Sequence, residues 1–181
     1  PMPAAVASMG PVIAGKNPSL APSMAPLARE YPKPGRGTFH DVETWMAPVV
    51  GHTEVCCVNH HGYNNATNDT FISTLSPRIF IIQASDALHP NHSTLERMLS
   101  KYLYPGKRDV FATNLHPAAE IVIGKDTEKM KSRQGHIVIR VLPGGDEYYV
   151  YILEDHNTKR KIKQIFGPYI CGPTGCPGVK Q

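Results

Sequence analysis

The sequence lacks several features that would place it in a broad class at once. No apolar run approaches the roughly 20 residues that a membrane-spanning helix needs, so no membrane span is expected in the 181 residues. No initiator methionine precedes Pro1-Met2-Pro3 and no signal-peptide pattern follows, so the chain reads as a processed product or a piece of something longer. A dense basic stripe is also missing. The 19 Lys and Arg against 15 Asp and Glu leave a net charge of +4, which admits an anionic substrate without arguing for nucleic acid. Cysteine is scarce, with four in all. Cys56 and Cys57 sit inside an apolar run, where adjacent residues face opposite ways and small core side chains fit. Cys171 and Cys176 close a short loop that an oxidising compartment would bridge; otherwise they stay thiols, since two thiols alone make a poor zinc site.

Charge is thin in the first segment too. Residues 1–38 hold eight of the 17 prolines, mixed with Ala, Ser, Met and Gly. Proline removes backbone donors and fixes φ, so neither a helix nor a central strand can run here. An extended arm or linker is expected, with residues 39–170 forming the folded domain and 171–181 a tail.

What the chain does have is organised around Glu54-Val55-Cys56-Cys57-Val58-Asn59-His60-His61-Gly62-Tyr63. The apolar stretch Val55 to Val58 is too short for an independent helix and fits a strand buried on both faces. It stops on His60 and His61, which places imidazoles at the carboxyl edge of a sheet, where open α/β sheets bind ligands. Neutral imidazole is a common zinc ligand, and Gly62 permits a sharp turn. The other reading is a pair of histidines that only cap the strand in a polar loop. A zinc site needs a further ligand, and the residues leave both readings open.

Upstream, Asp41 is placed to N-cap a helix over Val42 to Ala47 that Pro48 limits, with Trp45 and Met46 as core residues. His40 and Asp41 carry a second reading as metal ligands or as a pair supporting them. Downstream, a helix from Asp69 to about Leu75 precedes a strand over Arg78 to Gln83 and a polar loop, Ala84 to Pro90, that contains His89. Ser93 with Glu96 has the spacing of a capping box, which predicts a helix through Leu95, Met98, Leu99 and Tyr102. Asp109 to Asn114 gives a third short strand. This alternation argues for helices covering a sheet. His136 to Leu142 and Glu147 to Leu153 flank Pro143-Gly144-Gly145-Asp146, a strong β-hairpin signal. The charge run Lys159 to Lys163 fits a solvated edge strand or its approach. Asn65, Asn68 and Asn91 begin glycosylation sequons, which matter only in a secreted eukaryotic protein.

Val58-Asn59-His60-His61-Gly62, the later Asp86-Ala87-Leu88-His89-Pro90, the segment Arg108 to Thr113 and Gly135 to Val141 together resemble the later part of metallo-β-lactamase-fold hydrolases. The branch is the competence-protein-like group, which includes phosphorylcholine esterase-like enzymes. The resemblance runs from about Phe39 to Tyr169. It implies an α+β fold, the later half of an αββα metallo-β-lactamase-like sandwich, ending in a β-hairpin. It also implies one or two zinc ions at one sheet edge. His60 or His61 would be the last metal ligand, and the other would orient substrate or stabilise developing charge. His89 would contact substrate or transfer a proton as a catalytic residue. Metal-bound hydroxide would attack a phosphodiester or another ester.

One departure qualifies this. The first metal motif of that family, His-x-His-x-Asp-His, appears nowhere in the sequence. Either the amino-terminal half of the same protein or a partner chain supplies it, or this is a non-catalytic binding or structural domain that keeps the fold without the metal. An anionic ester is the substrate class implied. A nucleic-acid partner rests on fold kinship alone.

Overall fold

The computed structural model describes residues 41–84 and 86–172. The arm at 1–38, His40 and the pairing of Cys171 with Cys176 lie outside those residues. The described chain is a mixed α and β structure with two small sheets. In order it comprises α1 (Val42–Val50), β1 (Val55–Cys57), α2 (Asp69–Leu75), β2 (Ile79–Ile82), α3 (His92–Leu99), β3 (Asp109–Ala112), α4 (Pro117–Ile123), β4 (His136–Val141), β5 (Glu147–Leu153) and β6 (Ile162–Ile170).

Strands β1, β2 and β3 form a parallel sheet in that order, with Cys56 opposite Phe80 and Phe80 opposite Val110. Parallel neighbours require crossovers, and α2 and α3 are the helices within them. All four residues of β2 are buried, the pattern of a strand covered on both faces. Alternation along the strands sends Cys56, Phe80, Ile82, Val110 and Ala112 into one cluster with Ala47, Ile72, Leu75, Leu95 and Met98 from the helices. Val55, Ile79, Ile81 and Phe111 enter a second cluster with Tyr148, Val150, Ile152 and Tyr169. The second sheet is antiparallel, in the order β4-β5-β6. Three layers result: helices, a parallel sheet and an antiparallel sheet.

Several local expectations are corrected. Trp45 and Met46 are 43% and 37% exposed, and Ala47 is the buried residue of α1. The cap at Asp41 sets this phase: its side chain accepts from the Thr44 amide, which turns Ala47 and half-buried Val50 toward the core. Pro48 does not end α1, which closes instead at Gly51, whose amide donates to Ala47 O at 2.9 Å. Asn91, not Ser93, caps α3, and its side chain accepts from the Ser93 amide at 3.1 Å. The same helix stops at Leu99 rather than near Tyr102. The Arg108 guanidinium donates to the carbonyls of Ser100 (2.5 Å), Gly106 and Tyr104, fixing a turn where more helix was expected. The hairpin is not the end of the fold, because β6 extends it as an edge strand that is mostly exposed. Helix α4, with Pro117 in its first turn and a His116 cap, was not anticipated.

Candidate functional site: a histidine cluster at the carboxyl edge of the parallel sheet

Strand β1 passes directly into the turn Asn59–Gly62. His60 (φ 45°, ψ 42°) and His61 (φ 56°, ψ 17°) are both left-handed, followed by Gly62 at φ 81°. For residues with a Cβ this backbone costs on the order of 1 kcal/mol or more each, and it persists only where the surroundings over-determine it. Here they do. Asn59 N donates to Thr67 Oγ1, and Asn59 Nδ2 donates to Glu43 at 2.6 Å. The Glu43 carboxylate also accepts from the amides of Thr67 and Asn68, each at 2.7 Å, so α1 clamps the loop that follows the histidines. Gly62 lies against Pro90, and its carbonyl accepts from Asn91 N at 2.9 Å. That contact joins the loop after β1 to the loop after β2.

The loop after β2 brings His89 to the same place. Its ring centroid is 5.3 Å from that of His61 and 5.9 Å from that of His60. Tyr63 closes the group, edge-on to both His60 (5.4 Å) and His89 (5.6 Å). His60 and His61 are exposed, while His89 and Tyr63 are half-buried. Of the histidines singled out from the sequence, His60, His61 and His89 therefore gather at one edge of the sheet.

Two hydrogen bonds define the chemistry of the pair. His61 Nδ1 lies 2.6 Å from the Gln83 carbonyl oxygen. A carbonyl oxygen only accepts, so Nδ1 carries the proton and the neutral ring keeps its lone pair on Nε2. His60 Nδ1 lies 2.7 Å from Asn65 Oδ1, so that ring nitrogen is engaged as well. Metal-binding histidines are commonly held by an Nδ1–H bond to a carbonyl in this way. Imidazole donors of this kind suit zinc. The three rings do not by themselves bring three ligand atoms together. Among the described residues, the one group of three ligand atoms within 4.8 Å of one another is His92, Glu96 and Asp126. Asp41, the other metal candidate, caps α1 through Thr44 and also receives the Asn68 side chain at 2.9 Å.

Sequence reasoning missed Tyr63, Asn65, Gln83 and Glu43. Tyr63 closes the stretch that holds the His-His-Gly run, but no role was assigned to it there. Glu43 and Gln83 are 16 or more residues from the side chains they hold, and nothing in their own neighbourhood marks them. No family model matches the chain, and no curated protein or solved structure matches it either.

Proposed function

We propose that this chain is the carboxyl-terminal portion of a zinc-dependent hydrolase with a metallo-β-lactamase-like sandwich fold, acting on a phosphodiester or another anionic ester. The observation that carries the reading is the gathering of His60, His61 and His89 at the carboxyl edge of the parallel sheet, with the Nδ1 atoms of the first two already engaged. The three-layer order of helices, parallel sheet and antiparallel sheet fits the later half of such a sandwich. Strand β1 is paired on one side only among the described residues, and β6 leaves Ile162, Ile165 and Ile170 more than half exposed. Both features suit a chain that adjoins further structure, the amino-terminal half of the same protein or a partner chain.

In this reading His60 or His61 supplies the last metal ligand through Nε2, and the remaining ligands come from the other half. Zinc would supply Lewis acidity and a bound water of lowered pKa. The second of the two histidines orients the substrate's anionic group. His89, half-buried between the pair and Tyr63, contacts substrate or moves a proton to the leaving oxygen. The strained turn keeps both imidazoles aimed without an ordering cost at each encounter.

Elemental analysis for zinc on the purified native protein, with intact mass on the same sample, tests this first. One or two zincs per particle, lowered by His60→Ala or His61→Ala and accompanied by turnover of bis(p-nitrophenyl) phosphate, support the hydrolase. A metal-free particle of this chain together with its other half, inert toward the ester, would sink it. The second reading, a non-catalytic domain that keeps the fold, is favoured by one observation: the ring nitrogens of the trio do not converge as a three-ligand set. It predicts that metal-free outcome with normal stability.

A further inference from the structure

A second cluster of donors is built on the helix that follows the loop carrying His89 and Pro90. His92 and Glu96 are one helical turn apart on α3, and Asp126 comes from the 3₁₀ turn Gly124–Lys129 that follows α4. His92 Nε2 is 3.7 Å from Glu96 Oε1 and 3.8 Å from Asp126 Oδ2. Both distances are too long for hydrogen bonds. They are close to the edge of a zinc tetrahedron, which at ligand distances of about 2.0–2.2 Å spans roughly 3.3–3.6 Å. One imidazole nitrogen thus faces two carboxylate oxygens, and all three ligand atoms lie within 4.8 Å of one another.

The two oxygens of Asp126 are divided between tasks. Oδ2 faces His92, while Oδ1 accepts from Lys129 Nζ at 2.6 Å. A ligating carboxylate is commonly held by such an outer contact, which orients it without occupying its metal-facing oxygen. The chemistry of one nitrogen and two carboxylate oxygens suits zinc and neighbouring divalent ions, with water completing the shell.

We propose that His92, Glu96 and Asp126 form a surface site for a divalent ion of the zinc class, separate from the histidine trio. The ion ties the first turns of α3 to the 124–129 segment. Since α3 begins two residues after Pro90, occupancy stiffens the loop that carries His89.

Zinc titration of the full chain by calorimetry, with cobalt(II) absorption as a spectroscopic check, tests the site. Four proteins are compared: the wild type, the double variant His92→Gln/Glu96→Gln, the single variant Glu96→Gln, and His60→Ala/His61→Ala. The expected result is a binding event that survives in the His60/His61 variant and weakens tenfold or more in the His92/Glu96 variant. The milder Glu96→Gln alone should give an intermediate loss with unchanged melting in the absence of metal. Equal zinc affinity in the wild type and the His92/Glu96 variant overturns the proposal. So does a wild type that takes up no zinc outside the His60/His61 site. Zinc lost only through His60 and His61 would still leave the hydrolase reading standing.

Discussion

His61 donates through Nδ1 to the carbonyl oxygen of Gln83 at 2.6 Å, so a side chain at the end of β1 is fastened to the backbone at the end of β2. The bond fixes ring orientation and tautomer together, because the acceptor has no proton to give. Nitrogen-15 NMR of the imidazoles should therefore show neutral His61 protonated at Nδ1 and bare at Nε2. An Nε2–H signal for His61 would remove the ligand role assigned to that atom.

Gly62 is the least replaceable position of the turn. Its φ is 81°, and a Cβ built there would stand 2.9 Å from Pro90 Cβ. Gly62→Ala adds backbone strain and a steric clash between the two loops that bear the histidines, for a cost of about 1–3 kcal/mol. Urea denaturation should show this loss. The His60, His61 and His89 ring resonances should shift as well, since Asn91 N donates to the Gly62 carbonyl and moves with it.

The strand and helix order of the central region was legible because its signals are local. Ile79 to Ile82 is apolar and β-branched or aromatic throughout, Asp41 is a capping residue ahead of Thr44, and Gly144-Gly145 sits between two β-rich runs. The gathering of His60, His61 and His89 was legible only as a guess from resemblance, since a parallel crossover separates His89 from the pair. What was not legible depends on tertiary contacts. The capping choice of Asn91 over Ser93 follows from the Gly62–Asn91 bond across two loops. The early end of α3 follows from Arg108, whose guanidinium collects the carbonyls beyond the helix. Met46 reads as core on hydrophobicity alone, yet the phase set by the Asp41 cap turns it outward.

Glu43 is the brace behind the site. One carboxylate accepts from Asn59 Nδ2 and from the amides of Thr67 and Asn68, at 2.6 to 2.7 Å. Hydrogen bonds to a charged group contribute about 1.5–3 kcal/mol, and the two amides would be left in need of partners. Glu43→Ala should lower unfolding free energy by roughly 2–3 kcal/mol and raise amide exchange at Thr67 and Asn68. Unchanged exchange at both amides would show that the loop holds its shape without the clamp.

At the opposite edge of the sheet, Tyr148 OH donates to Glu54 Oε2 at 3.2 Å between the two layers, with both residues buried. Tyr148→Phe leaves a buried carboxylate oxygen without its donor, at about 1–3 kcal/mol. The same region sets an alkaline limit. Burial raises the Tyr148 phenol well above its ordinary value, with Glu54 adding to the shift, and burial followed by the Asp109 hydrogen bond raises Tyr169. In the helix-facing cluster, burial pushes the Cys56 thiol up to about 12. Each of these groups is neutral when protonated and holds its proton more tightly folded than unfolded. Between its unfolded and folded pKa, the unfolded chain therefore binds fewer protons, and stability falls as pH rises. The contribution is complete below about pH 8.5 for the thiol, and near pH 10 and above for the phenols it begins to be lost. Each group alone would impose a slope of about 1.4 kcal/mol per pH unit within its window. Melting temperature followed from pH 7 to 11 should be level at first and then decline, and Tyr148→Phe should make the decline above pH 10 shallower. A decline of equal steepness in that variant would place the alkaline limit elsewhere.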